Sequence, residues 1–399
     1  MRRSSHLATH RPGLDYVQGA HAGFQSHTAP MVTAPLHAPV SDRRRDELVD
    51  LCRDRAADVG FLEELDRRLR RLVPFDASLF VATDPATTLP APPVRLDSVD
   101  EECHTFWERE LMIEDVLLYR DLARRTVPVG TMQFATGGHP GRSTRHRELN
   151  QPNGFDDELR VAFRGRTGCW GVASLWRQRG RPHFTESEVS TMALLASVIG
   201  RAFRRGVLDN RVSAEVSPTG PGLLVFSPAG SLESLNEDAA GWLTQLSREG
   251  DKRTPHQVLI PTEVYSVMSQ ARAVATGRSA APARTRVRTL SGGWLALHAS
   301  CLRDGDGQFG DTAVVIEPAH ASEIAPMIVQ AYELTDREQS VTKMIAQGLS
   351  TAEIAEALML SLHTVRGYVK AVFEKIGVAS RGELVARLFA DHYYGPLHR

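Results

Sequence analysis

Cysteine and lysine are the scarce residues of this sequence. The four cysteines, Cys52, Cys103, Cys169 and Cys301, lie far apart in 399 residues and form no Cys-x-x-Cys pair. This spacing predicts neither a disulfide framework nor a thiolate zinc site, and we expect free thiols in a reducing cytoplasm. Only four of the 47 basic residues are lysine. The arginine bias is typical of a GC-rich genome and does not indicate a function.

Long apolar runs and an excess of one charge are also absent. The longest nearly continuous apolar run, Met192 to Gly200, is far shorter than the ~20 residues of a membrane helix. No apolar segment of the kind that a secretory signal needs follows Arg2 and Arg3. The formal net charge is −1, with 42% hydrophobic and 24% charged residues, which excludes polybasic, collagen-like and globally disordered proteins. We therefore expect no membrane association, and any nucleic-acid partner would bind a local basic patch.

The length allows about two to three domains that each bury a core. Residues 1–41 mix histidine, alanine, threonine, proline and glycine without periodicity, and we expect a disordered arm there. Ordered periodicity begins only near Asp42, so Met31 is an alternative start for the folded protein.

Residues 42–206 carry the pattern of a first α+β domain. Three segments resemble β-strands, and the last two of them are expected to form an antiparallel pair: Ala77–Ala82, Glu158–Phe163 and Cys169–Trp176. The prolines between residues 85 and 93 predict an irregular loop after the first of them. Thr185, with Glu188 three residues later, predicts the capping box of a long helix. This order of elements resembles a GAF sensory domain.

Residues 218–318 carry a second α+β pattern, between linkers at 207–217 and 319–332. The expected strands are Gly222–Phe226, Thr285–Leu290, Trp294–Leu302 and Thr312–Glu317. A helix is predicted to begin near Asn236, at the position where a PAS domain, which this segment resembles, commonly starts its first helix. We expect at least one of the two domains to bind a small apolar or aromatic molecule through its tryptophans, although core packing explains the same residues.

Three motifs that could carry chemistry are incomplete. Gly137–Gly141 lacks the Gly-Lys-Ser/Thr that holds phosphates, and Asp304–Gly307 lacks the glutamate that closes a calcium loop. Ser174 does not lie in a Gly-x-Ser-x-Gly nucleophile elbow. We therefore expect no enzyme activity and no metal site, and the sequence implies no cofactor.

Four short helices are predicted in residues 333–392, before a tail at 393–399. A hydroxyl residue begins each of them: Thr335, Ser350, Ser361 and Ser380. Gly348 is expected to end the first helix as a left-handed residue, and Gly377 is expected to end the third helix. The third helix should bury an apolar stripe that includes Leu362 and Val365. Short helices this close together are typical of a helix-turn-helix.

The same segment contains a series of motifs: Leu-Thr-x-Arg-Glu at 334–338, Gly-Leu-Ser at 348–350, Glu-Ile-Ala at 353–355, Leu-Ser at 360–361, Thr-Val-Arg at 364–366, Lys-Ile-Gly at 375–377 and Ser-Arg at 380–381. Together they strongly resemble the LuxR-type (LuxR/GerE) helix-turn-helix. The resemblance implies that the third helix enters the major groove of DNA and that the fourth supports dimerisation. Between Ser361 and Arg381, four basic residues stand against one glutamate, which favours contact with DNA phosphates.

The resemblance also assigns positions on that surface. Arg366, Gly367 and Lys370 match positions that face bases, whereas Ser361, Thr364, Lys375 and Arg381 match positions that contact phosphate or orient the helix. Arg366 and Lys370 are four residues apart and so share one helix face. Gly367 and Tyr368 depart from the family pattern, which leaves the target sequence open.

The sequence thus predicts a multidomain protein, with two α+β sensory domains (GAF-like and PAS-like) followed by an all-α tetrahelical helix-turn-helix domain. We expect a cytoplasmic homodimer that binds double-stranded DNA sequence-specifically and regulates transcription. A small-molecule effector or a protein partner would act on the sensory domains, and RNA polymerase is a further partner that the resemblance leaves open. The alternative is a sensor or scaffold that acts by protein contact, with a vestigial DNA-binding domain.

Overall fold

The computed structural model describes residues 39–98, 103–208, 218, 220–246 and 259–390. The predicted tail and most of the predicted arm and first linker lie outside these residues. Where the described part begins, a helix starts at Pro39, so the last three residues of the predicted arm are helical. Among the described residues, no helix combines the length and apolar composition that a bilayer span requires.

A five-stranded antiparallel sheet organises the first part of the chain. Its helices are α1 (Pro39–Asp54), α2 (Val59–Leu69), α3 (Cys103–Met112), α4 (Tyr119–Leu122), α5 (Met132–Ala135) and α6 (Glu186–Leu208). Its strands are β1 (Ala77–Thr83), β2 (Pro90–Asp97), β3 (Val129–Thr131), β4 (Phe155–Arg164) and β5 (Cys169–Gln178). They lie in the order β2-β1-β5-β4-β3. The three strands predicted from the sequence form the centre of this sheet.

Residues 85–89 form the predicted irregular turn, but strand β2 shows that the prediction was wrong for residues 90–93. Pro90–Asp97 pairs with β1 alone at the edge of the sheet, so no second neighbour needs the N–H groups that proline lacks. The pairing also skips Pro92 and Pro93, because the register shifts between Val81 and Ala82 on β1.

Side chains on the sheet alternate between two apolar cores. On β1, Phe80 and Ala82 pack into a core that includes residues of α1, α2 and α6, whereas Leu79 and Val81 pack with Trp107 of α3 on the opposite face. Both faces are covered, and all 7 residues of β1 are therefore buried. The sheet is the middle of three layers, and α6 packs on one of its faces.

A second five-stranded antiparallel sheet organises the part that follows. Its strands are β6 (Gly222–Phe226), β7 (Leu232–Leu235), β8 (Arg284–Arg288), β9 (Trp294–Arg303) and β10 (Phe309–Pro318), and its helices are α7 (Glu237–Leu246) and α8 (Thr262–Ala275). The order β7-β6-β10-β9-β8 repeats the strand order of the first sheet. The predicted helix start at Asn236 is confirmed, since its Oδ1 accepts a hydrogen bond from Ala239 N at 2.9 Å. Helix α8 had not been predicted.

The segment 319–332, predicted as a linker, contains a well-packed helix. This helix, α9 (Ala321–Ala331), buries Ile324, Met327 and Ile328 in the same core as α6. Four helices follow: α10 (Asp336–Ala346), α11 (Thr351–Ala357), α12 (Leu362–Ile376) and α13 (Arg381–Val385). Leu388, just beyond α13, is buried in that same core. The C-terminal helices therefore continue the core of the first sheet.

Candidate nucleic-acid interface

Side-chain caps define where the four C-terminal helices begin. The hydroxyl oxygens of Thr335, Ser350, Ser361 and Ser380 each accept a hydrogen bond from the backbone N–H three residues later. In turn, the carboxylates of Glu338 and Glu353 accept hydrogen bonds from the backbone N–H groups of the cap residues Thr335 and Ser350. These reciprocal bonds complete two capping boxes. All four predicted caps are confirmed.

Left-handed residues end these helices and fix the turns between them. Gly348 has φ +88° and Gly377 has φ +74°, as predicted for helix C-termini. Met359, in the turn between α11 and α12, has φ +53° although it is not glycine. Leu360 N donates to Ala355 O at 2.9 Å across that turn. This turn sets the angle at which α12 leaves α11.

Helix α12 has one buried face and one open face. Val365, Val372 and Ile376 are at most 5% exposed and pack in the core with residues of α10 and α11. Leu362, which had been placed in this stripe, is 48% exposed, because it lies at the first turn where no neighbouring helix covers it. The rest of the open face is polar or lacks a side chain, as at Gly367.

Arg366, Gly367 and Lys370 all lie on the open face of α12. Lys370 Nζ is 3.8 Å from Glu374 Oε1, and both side chains are mostly in water, at 80% and 67% exposure. Such an exposed pair holds its partners weakly. Arg366 makes no ion pair with any residue that the structure describes. Both cations are therefore available to an external anion.

Ser361 and Thr364 lie together at the N-terminus of α12. Their hydroxyl oxygens are 2.8 Å apart, and Thr364 N donates to Ser361 Oγ at 3.1 Å. Both residues are exposed. The N-terminus of a helix carries partial positive charge and unpaired N–H groups, so this end of α12 suits a phosphate.

Lys375 and Arg381 each bond to a side chain of another helix, unlike Arg366. Lys375 Nζ is 2.6 Å from Glu338 Oε2 and so connects α12 to α10. Arg381 donates to Thr351 Oγ1 at 2.8 Å and to Leu349 O at 2.5 Å, which connects α13 to the start of α11. Sequence reasoning missed Thr351 and the second role of Glu338, because contacts between distant helices leave no local signal. This geometry supports an orienting role for both cations.

The carboxylate of Glu338 is held in its charged form. Burial alone would raise the pKa of Glu338, but the Lys375 ammonium and the N–H and hydroxyl of Thr335 outweigh it and lower the pKa. The ion pair is therefore complete at neutral pH.

We expect the Lys375→Ala substitution to lower the free energy of unfolding of the full chain by about 1 kcal/mol at pH 7. The value is modest because the Lys375 side chain is 38% exposed. A lowered pKa in the folded state stabilises the protein above about pH 4.3, the ordinary pKa of glutamate, and this contribution disappears as the pH falls further. Urea unfolding at pH 7 and at about pH 3 measures both values.

Lys343→Ala provides the matched control for this substitution. Lys343 is exposed on α10 and makes no ion pair with a described residue. Its removal should leave the free energy of unfolding within about 0.5 kcal/mol of the parent. Equal losses in the two variants would show that the Lys375–Glu338 pair does not stabilise the helices.

The four C-terminal helices are similar to segments of known proteins. Residues 332–388 match the model of the family described as bacterial regulatory proteins, luxR family. Over 55 residues the chain is 38% identical to the spore germination protein GerE of Bacillus subtilis, a match that covers 14% of this chain and 74% of GerE. Over 58 residues it is 41% identical to the transcriptional regulatory protein DesR of the same organism, which covers 14% of this chain and 29% of DesR. The chain thus spans less than a third of the length of that regulator.

A solved structure is similar over a longer part of the chain but only distantly. SdiA of Escherichia coli has 11% sequence identity and a TM-score of 0.32, covering 88% of this chain and 99% of SdiA. The family match covers residues 332–388, which contain the four C-terminal helices, and the match to GerE covers 74% of that protein. Through these helices, the chain belongs to the luxR family of bacterial regulatory proteins.

Proposed function

We propose that the protein is a transcriptional regulator that binds double-stranded DNA sequence-specifically through the open face of α12. The observation that carries this proposal is the division of the helix. Val365 and Val372 fix one side in the core, while Arg366 and Lys370 extend from the other with no strong internal partner among the described residues. An α-helix fits the major groove, and arginine can bind guanine through two hydrogen bonds.

In this proposal, the N-terminus of α12 contacts the DNA phosphates. Ser361 and Thr364 would donate to one phosphate, and Lys375 and Arg381 would keep α12 and α13 at the required angle. Lys375 is also partly exposed, so it can approach a second phosphate. Contacts of this kind add affinity on every sequence, whereas Arg366 and Lys370 would select the sequence.

We further propose that the protein acts as a homodimer. Two copies of α12 in successive major grooves would favour an inverted repeat whose half-sites are ~10 base pairs apart. Operator sequences enriched from random duplexes by the full-length chain would contain this repeat.

The test of the proposed function is binding of the full chain to duplex DNA. Fluorescence anisotropy should give tight binding to an enriched duplex and weaker binding to a random one. The logarithm of the association constant should fall linearly with the logarithm of salt concentration, because each neutralised phosphate releases counterions. Absence of binding to any duplex at low salt would overturn the proposal and favour a scaffold that acts by protein contact.

Gly367→Ala separates a packing role of this glycine from a DNA-binding one. A Cβ at Gly367 would meet no atom within 4 Å, so alanine fits the free protein. We expect the free energy of unfolding to rise by about 0.5–1 kcal/mol, since alanine favours the helix. If the helix lies close to bases here, affinity for the enriched duplex should fall despite the gain in stability. Unchanged affinity in anisotropy would show that DNA does not closely approach residue 367.

The two α+β parts would supply the control of DNA binding. They share one strand order, and we propose that they are sensory domains of the GAF and PAS kinds. Trp107, Trp170, Trp176 and Trp242 are at most 2% exposed and pack in the apolar cores. Their packing supports a structural role for these tryptophans, so the ligand of these domains is better sought elsewhere.

A further inference from the structure

A cleft of about 650 Å³ lies between the two α+β parts of the chain, which contact each other elsewhere through Arg286 and Asp84. The first part contributes the β1–β2 turn at Pro85–Thr88, the end of α4 and the turn Arg164–Cys169. The second part contributes Gln270 on α8 and the segment Arg278–Ala281. This volume is typical of sites that bind one small molecule.

The cleft is strongly basic. Its arginines are Arg120, Arg124, Arg164, Arg166 and Arg278, of which Arg120 is ion-paired with Glu114, a residue outside the lining of the cleft. No aspartate or glutamate is among the described residues that line it. Like charges that converge on one concave surface repel each other, and the walls focus their field into the space between them. An anion in the cleft would relieve this repulsion.

Backbone carbonyls hold two of these arginines in place without neutralising them. Arg164 Nη1 donates to Ala123 O at 3.2 Å and also to Arg125 O. Arg278 Nη1 donates to Met112 O. Because a carbonyl is neutral, both guanidinium groups keep their full charge while their positions are restricted. Such preorganisation lowers the entropy cost of binding a ligand.

Two further arginines and one hydroxyl are open to a ligand. Arg124 and Arg166 are exposed and make no hydrogen bond or ion pair through their side chains with any described residue. Ser279 Oγ accepts from Gln270 Nε2 at 2.8 Å and from Ala281 N at 3.2 Å, so its own hydrogen is left to donate. Each guanidinium group offers five N–H donors in a planar fork.

We propose that this cleft binds a small molecule that carries a di- or triphosphate group, which bridges the two α+β domains. Arginine forks bind phosphate through paired hydrogen bonds, and a compact di- or triphosphate carries enough charge to engage several of them at once. Because the walls belong to two domains, the ligand stabilises the arrangement in which both contact it. A duplex would instead contact cations spread along an extended surface. The proposal does not depend on DNA binding by α12.

The test is calorimetric titration of the full-length chain at constant ionic strength. The probes are inorganic pyrophosphate, citrate and a random 20-base-pair duplex. We expect pyrophosphate to bind at least about tenfold more tightly than citrate, and the double variant Arg124→Ala, Arg166→Ala to bind it at least about tenfold more weakly than the parent. No binding of pyrophosphate, or equal binding of citrate, would overturn the phosphate assignment.

Arg125→Ala is the matched control, since Arg125 is exposed beside Arg124 but does not line the cleft. It should bind pyrophosphate as the parent does. A second variant, Arg124→Lys with Arg166→Lys, keeps the charges and should retain part of the affinity, which excludes misfolding as the cause of a loss. If the duplex displaces pyrophosphate and loses affinity in the double alanine variant, the cleft is a nucleic-acid surface and the proposal fails.

Discussion

Replacing Glu158 with alanine is expected to lower the free energy of unfolding by about 3–5 kcal/mol. Glu158 is fully buried on β4, where Oε2 accepts from Arg145 Nε and Asn150 Nδ2, each at 3.0 Å. Oε1 accepts from Ser174 Oγ at 2.8 Å and lies 3.4 Å from Arg160 Nε. Without this carboxylate, two buried guanidinium groups lose a counter-charge. Urea unfolding followed by circular dichroism measures the loss.

The pKa of Glu158 sets the pH range of this effect. Burial alone would raise that pKa, but the guanidinium groups of Arg145 and Arg160 and the hydrogen bonds from Asn150 and Ser174 outweigh it and lower the pKa to about 2. Since the folded pKa is the lower one, the stabilisation is complete above about pH 4.3 and is lost as the pH falls toward the folded pKa. The difference between parent and variant should therefore stay constant near neutral pH and shrink in acid.

Glu356→Ala is the control for Glu158, because it removes an exposed glutamate from α11 that makes no ion pair with a described residue. It should change the free energy of unfolding by no more than about 0.5 kcal/mol. A loss below about 1 kcal/mol for Glu158→Ala would mean that water replaces the carboxylate, and the buried charges would then not be essential to the fold.

Arg366→Ala is expected to weaken binding to the enriched duplex by about 1–3 kcal/mol, with relaxed preference at particular base pairs. The side chain lies on the open face of α12, so its loss would remove the proposed base contact without disturbing the core. Lys370→Ala should act in the same direction, since its pair with Glu374 is exposed and weak. Anisotropy on enriched and random duplexes at several salt concentrations separates sequence preference from general affinity.

Two lysine substitutions provide the comparison for Arg366→Ala. Lys375→Ala should reduce affinity on all sequences alike and make the salt dependence shallower by about one unit, if Lys375 approaches a phosphate. Lys343→Ala, on α10, should change little. Binding of the enriched duplex by Arg366→Ala and Lys370→Ala as tightly as by the parent would show that another face of the domain reads DNA.

Local signals in the sequence predicted the C-terminal helices and their open face. The capping pairs, such as Thr335 with Glu338, are three residues apart, and the left-handed glycines stand directly after the helices they end. The capping box at Thr185 and Glu188 is confirmed for the same reason, with Thr185 N donating to Glu188 Oε2 at 2.8 Å. Arg366 could be placed on the open face because helical spacing fixes the direction of each side chain.

Tertiary contacts account for what the sequence did not predict. Strand β2 forms in spite of its prolines because β1 supplies one partner and the sheet ends there. The pairing of Lys375 with Glu338 joins residues far apart in the chain. The five arginines of the cleft come from separated segments of two domains, so no spacing rule brings them together. Arg124 and Arg166 look like ordinary surface residues until the fold places them on one wall.

Helix α9 limits how this protein can be cut and recombined. A chimaera that joined the C-terminal helices to a foreign sensor at residue 333 would discard Ile324, Met327 and Ile328, all buried in the core they share with α6 and Leu388. A junction before Ala321 would keep α9 but expose the same three side chains to a surface that does not fit them. A functional exchange therefore has to carry the outer face of α6 along with α9, so the transferable unit is larger than the segment that defines the family.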